Sequence, residues 1–111
     1  MIIAVVGSRS FNNYELLSSE LKKHAITQIV SGGAKGADLL AKKYAIDHGI
    51  PIKEHLPDYN QFGRSAPIIR NRLIVDDAEM VIAFWDGASK GTRYTIDYAA
   101  KQNKRILIIN I

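Results

Sequence analysis

The stretch Val30-Ser31-Gly32-Gly33-Ala34-Lys35-Gly36-Ala37-Asp38 predicts how this chain folds. It joins an apolar run that is typical of a strand to a helical pattern that begins near Ala37, and three glycines lie between the two. A strand, a glycine turn and a helix N-terminus in this order can expose backbone N–H groups to a phosphate. Against the Rossmann spacing G-x-G-x-x-G, Gly33 and Gly36 fit the last two positions and Ser31 stands at the first. The alternative is a tight strand-to-helix turn that binds no ligand.

Length and composition limit the class of protein. The 111 residues are 47% hydrophobic and 23% charged, which is typical of one globular domain over residues 1–111. No apolar run approaches the length of a membrane span and no secretory leader pattern stands at the N-terminus, so we expect no membrane association. The absence of cysteine excludes disulfides and thiolate metal sites and favours a cytoplasmic location. The net charge of +4 favours anionic partners, although a dispersed, solvated surface charge is the alternative.

Hydrophobic periodicity along the chain predicts five strands that alternate with four helices. Strands are expected at residues 2–6, 27–31, 51–56, 80–84 and 105–109. Helices are expected from a cap at Asn12 to about residue 23, from residue 37 to a cap at Gly49, from residue 68 to about 77, and after the polar segment 86–92. Residues 57–63 are expected to form an ordered loop. This alternation predicts an α/β fold, a Rossmann-like three-layer domain with a five-stranded parallel sheet.

Three polar segments that contain glycine follow the first, second and fourth predicted strands. They are Gly7-Ser8-Arg9, residues 31–36 and residues 86–92. In the strand order 3-2-1-4-5 all three segments leave neighbouring strands at the carboxyl edge of the sheet, where ligands bind to α/β sheets. The flavodoxin-like order 2-1-3-4-5 would separate the first strand from the fourth. We therefore predict the order 3-2-1-4-5.

The side chains of these segments have the chemistry of a phosphate site. Ser31, Ser89 and Thr92 supply hydroxyl donors, and the segments precede helix N-termini whose amides favour anions. The guanidinium of Arg9 can hold a phosphate through two hydrogen bonds. These features together predict a ligand that carries phosphate groups.

Several of these residues also have a purely structural explanation. Arg9 could form a surface salt bridge, and Lys35 and Lys90 could be solvated lysines. Asp38 could complement the dipole of its own helix or contact a ribose. Trp85, the only tryptophan, could stack on a base or line the cleft, or it could pack in the core.

The sequence offers no clear set of catalytic residues. The three histidines lie away from the glycine segments, and no group of residues has the spacing of metal ligands, so we expect neither a metal nor a cofactor. Asp58, Asp86 and Asp97 could act as acid or base, but no two of them form an obvious pair in the sequence. Catalytic residues therefore stay unassigned.

Four motifs in this chain, in this order, resemble those of the SLOG superfamily. They are Gly7-Ser8-Arg9, residues 30–38, Arg70-Asn71-Arg72 and residues 85–92. The resemblance covers essentially the whole chain and is greatest to the small YspA/YpsA-related SLOG proteins, relatives of the DNA-processing protein DprA and of the LOG phosphoribohydrolases. It implies the strand order 3-2-1-4-5 and a nucleotide or nucleotide-derived ligand. Motif chemistry and resemblance together place these residues at the ligand: Gly7, Ser8, Arg9, Ser31, Gly32, Gly33, Lys35, Gly36, Asp38, Arg70, Asn71, Trp85, Asp86, Gly87, Ser89, Lys90, Gly91 and Thr92.

The resemblance leaves three functions open, of which we favour a nucleotide-binding or sensing module without catalysis. LOG enzymes hydrolyse N-glycosidic bonds of nucleotides. Their last loop resembles P-G-G-x-G-T and is followed by a glutamate pair. Here Gly91-Thr92 is followed by residues 93–97 without a glutamate, which disfavours LOG-type hydrolysis. A nucleotide hydrolase that uses other carboxylates, such as Asp86 or Asp97, is the second hypothesis. Binding of single-stranded nucleic acid, as in DprA-like proteins, is the third hypothesis. A homo-oligomer is expected because so small a sheet leaves helix faces exposed.

Overall fold

The computed structural model describes residues 1–111 and contains one five-stranded parallel sheet. The strands are β1 (Ile2–Gly7), β2 (Gln28–Ser31), β3 (Ile52–Glu54), β4 (Met80–Trp85) and β5 (Arg105–Asn110). Their order is β3-β2-β1-β4-β5, so β1 is the central strand and pairs with both β2 and β4. The predicted fold class and strand order are confirmed. The switch in winding direction lies between β1 and β4, which is where α/β sheets bind ligands.

Five helices and one 3-10 turn connect the strands. The helices are α1 (Tyr14–Leu21), α2 (Ala37–His48), α3 (Tyr59–Phe62), α4 (Ala66–Asp77) and α5 (Lys90–Lys101), and the 3-10 turn Gly63–Ser65 joins α3 to α4. No helix has both the length and the apolar character needed to span a membrane.

The apolar run of β1 is continuous because both faces of the sheet are covered. Ile3 and Val5 point into a cluster of 13 buried residues that α1 and α2 complete. Ala4 and Val6 point the other way, into a cluster of 9 buried residues that includes side chains of α4 and α5. A strand buried on both faces has no polar side to present, which removes the alternation of polar and apolar residues.

Two predicted segments differ from the structure around β3. The third strand was expected over residues 51–56, but it comprises only Ile52–Glu54, an edge strand paired with β2 alone. The expected loop 57–63 contains α3, which Asp58 caps by accepting a hydrogen bond from the Gln61 N–H at 3.1 Å. A helix of four residues is too short to produce a hydrophobic period, so the sequence pattern could not indicate it.

Two helix starts also differ from the prediction. The residue that caps α1 is Asn13, whose side chain accepts a hydrogen bond from the Leu16 N–H at 3.0 Å, and not Asn12. α4 begins at Ala66, two residues before the predicted start, because Pro67 fits the first turn of a helix, where its missing N–H is not needed.

The N-terminus of α2 approaches the loop after β1 so closely that residue 36 must be glycine. Gly36 has φ 76° and ψ −127°, a region that side chains with a Cβ rarely adopt. A Cβ at this position would overlap the carbonyl oxygen of Ser8 and lie 2.6 Å from that of Arg9. The Ala37 N–H donates to the same Ser8 oxygen at 3.4 Å. This glycine therefore holds two loops together at the carboxyl edge of the sheet.

We expect Gly36→Ala to be the most destabilising of three matched glycine substitutions. It adds backbone strain of about 1–3 kcal/mol to the steric overlap with Ser8 and Arg9. Gly49→Ala, at φ 65° with no atom near its Cβ position, should cost only the left-handed strain of about 1–2 kcal/mol. Gly91→Ala meets neither problem and should be neutral or stabilise the helix by up to about 1 kcal/mol. Urea unfolding of the three variants tests this order, and a Gly36→Ala no worse than Gly49→Ala would contradict it.

Candidate functional site

A cleft opens at the carboxyl edge of the sheet, on the face that α4 and α5 cover. Its volume is about 140 Å³. Pockets that enclose a drug-sized ligand usually measure about 300–1,000 Å³, so this cleft encloses only part of a nucleotide-sized molecule. Four segments that are distant in sequence line it: Val6, Gly7 and Arg9 after β1; Ala34 and Asp38 around the start of α2; Pro67, Arg70, Asn71 and Ile74 of α4; and Ser89, Gly91, Thr92 and Thr95 at the start of α5.

The cleft contains part of the predicted site. The structure brings together Gly7, Arg9, Asp38, Arg70, Asn71, Ser89, Gly91 and Thr92. The other predicted residues lie outside its lining: Ser8, Ser31, Gly32, Gly33, Lys35, Gly36, Trp85, Asp86, Gly87 and Lys90. Sequence reasoning missed Val6, Ala34, Pro67, Ile74 and Thr95. Helical spacing could have indicated three of them, since Pro67 and Ile74 share a face with Arg70 and Asn71, and Thr95 follows Thr92 by three residues.

Two arginines stand on different walls of the cleft. Arg9 is exposed and forms neither a salt bridge nor a hydrogen bond through its side chain, which leaves its guanidinium available to a ligand. Arg70 is partly buried, and its Nη1 donates to the carbonyl oxygen of Gly32 at 2.7 Å. The Nε of Arg70 is buried and has no hydrogen-bond partner. The free cationic donors of the cleft are therefore the guanidinium of Arg9 and the Nη2 of Arg70, since a ligand cannot reach the buried Nε.

The N-terminus of α5 supplies further donors. Ser89 caps the helix, accepting a hydrogen bond from the Thr92 N–H at 3.4 Å, and its Oγ lies 3.1 Å from the Thr92 Oγ1. The N–H groups of Lys90 and Gly91, at the first two helical positions, have no acceptor within the protein. Gly91 adds no side chain over these amides, and nothing lies within 4 Å of its Cβ position. This end of the cleft has the arrangement that favours an anion.

The start of α2 is arranged differently from the phosphate cradle that the glycine pattern predicts. The carboxylate of Asp38 turns back onto the loop, where its Oδ2 accepts a hydrogen bond from the Ala34 N–H at 3.2 Å. A Cβ on Gly32 would lie 3.0 Å from the same Oδ2 and 2.5 Å from the Nη1 of Arg70. Asp38 thus already accepts from one of the loop amides, that of Ala34.

Other atoms of this loop pack against the protein, although Gly33 and Lys35 are exposed. Gly33 has φ 68°, and a Cβ there would lie 2.8 Å from the Cδ2 of Leu56, on the side of β3. The side chain of Ser31 is fully buried, and its Oγ has no hydrogen-bond partner. The Ala37 N–H donates to Ser8 and is not free. The glycines in this loop allow close packing between segments of the chain.

Hydrogen bonds within the β4–α5 loop fix its shape. Asp86 accepts from the N–H groups of Ala88 and Ser89, both at 2.8 Å, and these bonds lower the pKa of its carboxyl. The Asp86 N–H lies 3.3 Å from the Oγ of Ser8, to which it donates. The indole N–H of Trp85 donates to the Ser89 carbonyl at 3.0 Å. These hydrogen bonds therefore fix the position of the α5 N-terminus, although Ser8, Trp85 and Asp86 do not themselves line the cleft.

Asp38 is the only carboxylate that lines the cleft. Its burial raises the pKa of the carboxyl, while the Ala34 amide and the Arg70 charge act in the opposite direction. Asp97 is exposed on α5, where its Oδ2 lies 3.9 Å from the Nε of Arg93, and Asp58 caps α3. No group of three His, Asp or Glu side chains is placed to hold a metal ion.

A family model for the YspA, cpYpsA-related SLOG family matches residues 1–62, which include β1, the glycine loop and α2. The chain belongs to this SLOG family. The SLOG resemblance predicted from the four motifs is thereby confirmed.

Two further comparisons place this SLOG protein among known chains. It is 28% identical over 110 residues to the Gene 61 protein of Mycobacterium phage D29, a match that covers 89% of this chain and 88% of the phage protein. It is also similar to the X-ray structure of DNA processing protein A (DprA) from Streptococcus pneumoniae, with a TM-score of 0.82 and 20% identity. That match covers 98% of this chain and 50% of DprA, so this chain spans half the length of the DprA chain. At such low identity the likeness shows a shared Rossmann-like fold.

We expect Asp38→Asn to stabilise this SLOG protein at neutral pH. Burial makes the ionised carboxylate unfavourable in the folded state and raises the pKa of Asp38, whereas asparagine is neutral and can still accept the Ala34 hydrogen bond. The folded chain holds the proton of Asp38 more tightly than the unfolded chain does. The destabilisation by the charged carboxylate is therefore complete above the pKa that Asp38 has in the folded state. It disappears as the pH falls below the ordinary aspartate value of 3.8. The stabilisation measured by urea unfolding at neutral pH should therefore vanish in acid.

The exposed Asp97 provides the control, since Asp97→Asn should change stability by no more than about 0.5 kcal/mol at either pH. If Asp38→Asn were less stable than the wild type at neutral pH, the bond from Ala34 to the charged carboxylate would outweigh the burial of the charge.

Proposed function

We propose that this SLOG protein binds a nucleotide or a nucleotide-derived phosphate ligand in the cleft at the ends of β1 and β4, and acts as a sensor or binding module without catalysis. One observation carries the proposal: the open N-terminus of α5 and the unpaired guanidinium of Arg9 line the same cleft. Both favour an anion, and neither has an acceptor within the protein.

The donors of the cleft suit a phosphate better than a neutral ligand. A hydrogen bond to a charged group contributes about 1.5–3 kcal/mol, and the dipole at a helix N-terminus adds about 0.3–1 kcal/mol for an exposed anion. The amide of Gly91, the Thr92 hydroxyl and the guanidinium of Arg9 offer several such bonds at one place. The volume of about 140 Å³ fits a phosphate with part of its substituent, while the rest of the ligand would lie outside the mouth.

The placement of the carboxylates supports binding over hydrolysis. Enzymes that cleave glycosidic bonds usually use two carboxylates on either side of the scissile bond. Here Asp38 is alone in the cleft, Asp86 is held by two backbone amides of its own loop, and Asp97 is exposed on α5 outside the lining. A nucleotide N-glycosidic hydrolase is therefore the less favoured alternative.

Single-stranded nucleic acid is the second candidate ligand. The net charge of +4 favours a polyanion, and a cleft smaller than a nucleotide allows a strand to continue beyond its mouth. The solved structure of similar fold is that of a DNA processing protein. The single-domain organisation, a homo-oligomeric state and a cytoplasmic location stay predictions from the sequence.

We expect titration calorimetry to detect binding of at least one of the four ribonucleoside 5′-monophosphates, and Arg9→Ala to weaken that binding by about 10- to 100-fold. The loss corresponds to one charge-assisted interaction of about 1.5–3 kcal/mol. Arg93→Ala is the matched control, because it removes the same charge from an exposed position on α5 outside the cleft. Its affinity should stay within about twofold of the wild type.

Two further readouts separate the alternatives in the same samples. Affinity for a single-stranded oligothymidylate that exceeds the affinity for mononucleotides and falls steeply with salt would favour the nucleic-acid candidate. Release of free base would favour the hydrolase. Equal effects of Arg9→Ala and Arg93→Ala would contradict the location of the site.

A further inference from the structure

Asp38 is the one carboxylate in a cleft that is otherwise lined by arginine, amide, hydroxyl, glycine and apolar groups. The residue is only 9% exposed, and its Oδ2 accepts a hydrogen bond from Ala34 at 3.2 Å. Its Oδ1 accepts no hydrogen bond from the protein. Because this oxygen is not shut off from solvent, it can accept a hydrogen bond from a group outside the chain.

Arg70 stands beside Asp38 without pairing with it. The Nη1 of Arg70 is directed to the Gly32 carbonyl at 2.7 Å, and the two side chains form no ion pair. The Nε of Arg70 is shut off from solvent, whereas its Nη2 is open and has no acceptor within the protein. The inner wall of the cleft therefore holds an unsatisfied acceptor next to an unsatisfied donor.

The chemistry of these two atoms selects the ligand group that fits them. A phosphate offers acceptors only, and its charge is repelled by the Asp38 carboxylate. An ammonium group offers donors only and leaves the Nη2 of Arg70 without an acceptor. A hydroxyl donates one hydrogen bond and accepts others, so it alone of the three satisfies both residues.

We propose that Asp38 and Arg70 together bind a sugar hydroxyl of a phosphorylated ligand whose phosphate lies at the N-terminus of α5, and that the cleft therefore selects ribonucleotides over deoxyribonucleotides. This inference rests on the proposed function, since it assumes that the phosphate lies at the other end of the same cleft. Asp38 sets the specificity for the sugar, whereas Arg9 and the α5 amides set the affinity for the phosphate.

The test compares AMP, its 2′-deoxy and 3′-deoxy analogues, ribose 5-phosphate and inorganic phosphate by titration followed by NMR of the wild-type chain. Removal of the hydroxyl that meets Asp38 should weaken binding about tenfold or more, the size of one hydrogen bond to a charged group. In Asp38→Asn the same removal should weaken binding about threefold or less, because a neutral partner makes a weaker bond. Loss of a charge that repels phosphate should leave the affinity for the deoxy analogue unchanged or higher.

Asp97→Asn is the matched control and should keep the tenfold preference, because its carboxylate lies outside the cleft. Equal binding of AMP and both deoxy analogues by the wild type would overturn this inference and leave the proposed function standing. A preference that survives intact in Asp38→Asn would overturn the assignment to Asp38. Failure of AMP, ribose 5-phosphate and inorganic phosphate alike to bind would overturn the proposed function, and this inference with it.

Discussion

The contact between the start of α2 and the loop after β1 determines how the rest of the carboxyl edge is arranged. Gly36 lies so close to the carbonyl oxygens of Ser8 and Arg9 that no side chain fits between them. This approach brings the β1 and β2 loops together above two paired strands. The β4 loop joins them because the Asp86 N–H donates to the Oγ of Ser8 at 3.3 Å. Three segments far apart in sequence thereby form one continuous rim.

The N-termini of α2 and α5 appear equivalent in the sequence but differ in the structure. At the start of α2, Ser8 and Asp38 accept from the N–H groups of Ala37 and Ala34, while those of Asp38 and Leu39 have no acceptor. The Asp38 carboxylate adds a negative charge beside these amides. At α5, the N–H groups of Lys90 and Gly91 stay without acceptors. The walls of the cleft therefore differ: the start of α5 presents free amides, the α2 and α4 walls present Asp38 beside Arg70, and the exposed Arg9 also lines the cleft. A ligand with a phosphate at one end and a hydroxyl at the other complements this arrangement.

Much of the fold could be predicted because it depends on long, regular patterns. The apolar run of β1 and the glycine segments after three strands indicated the parallel sheet and its order, and the structure confirms both. The short α3 could not be predicted, since four residues give no period. The role of the glycine loop was also ambiguous, because the same residue type serves close packing and phosphate binding. Only the coordinates show that a Cβ on Gly36 or Gly32 would meet protein atoms. The cap at Ser89 and the place of Gly91 could be predicted from the sequence. The hydrogen bond between the Asp38 side chain and the Ala34 N–H could not.

The most direct test of this account is the location of the phosphate end of the ligand. Amide chemical shifts of the ¹⁵N-labelled protein, followed during titration with AMP, distinguish the two helix N-termini residue by residue. The account predicts that the largest changes fall on Lys90, Gly91 and Thr92, with Arg9 among the affected residues. Changes concentrated on residues 32–36, with the start of α5 unaffected, would contradict it. They would show that the phosphate binds at the glycine loop.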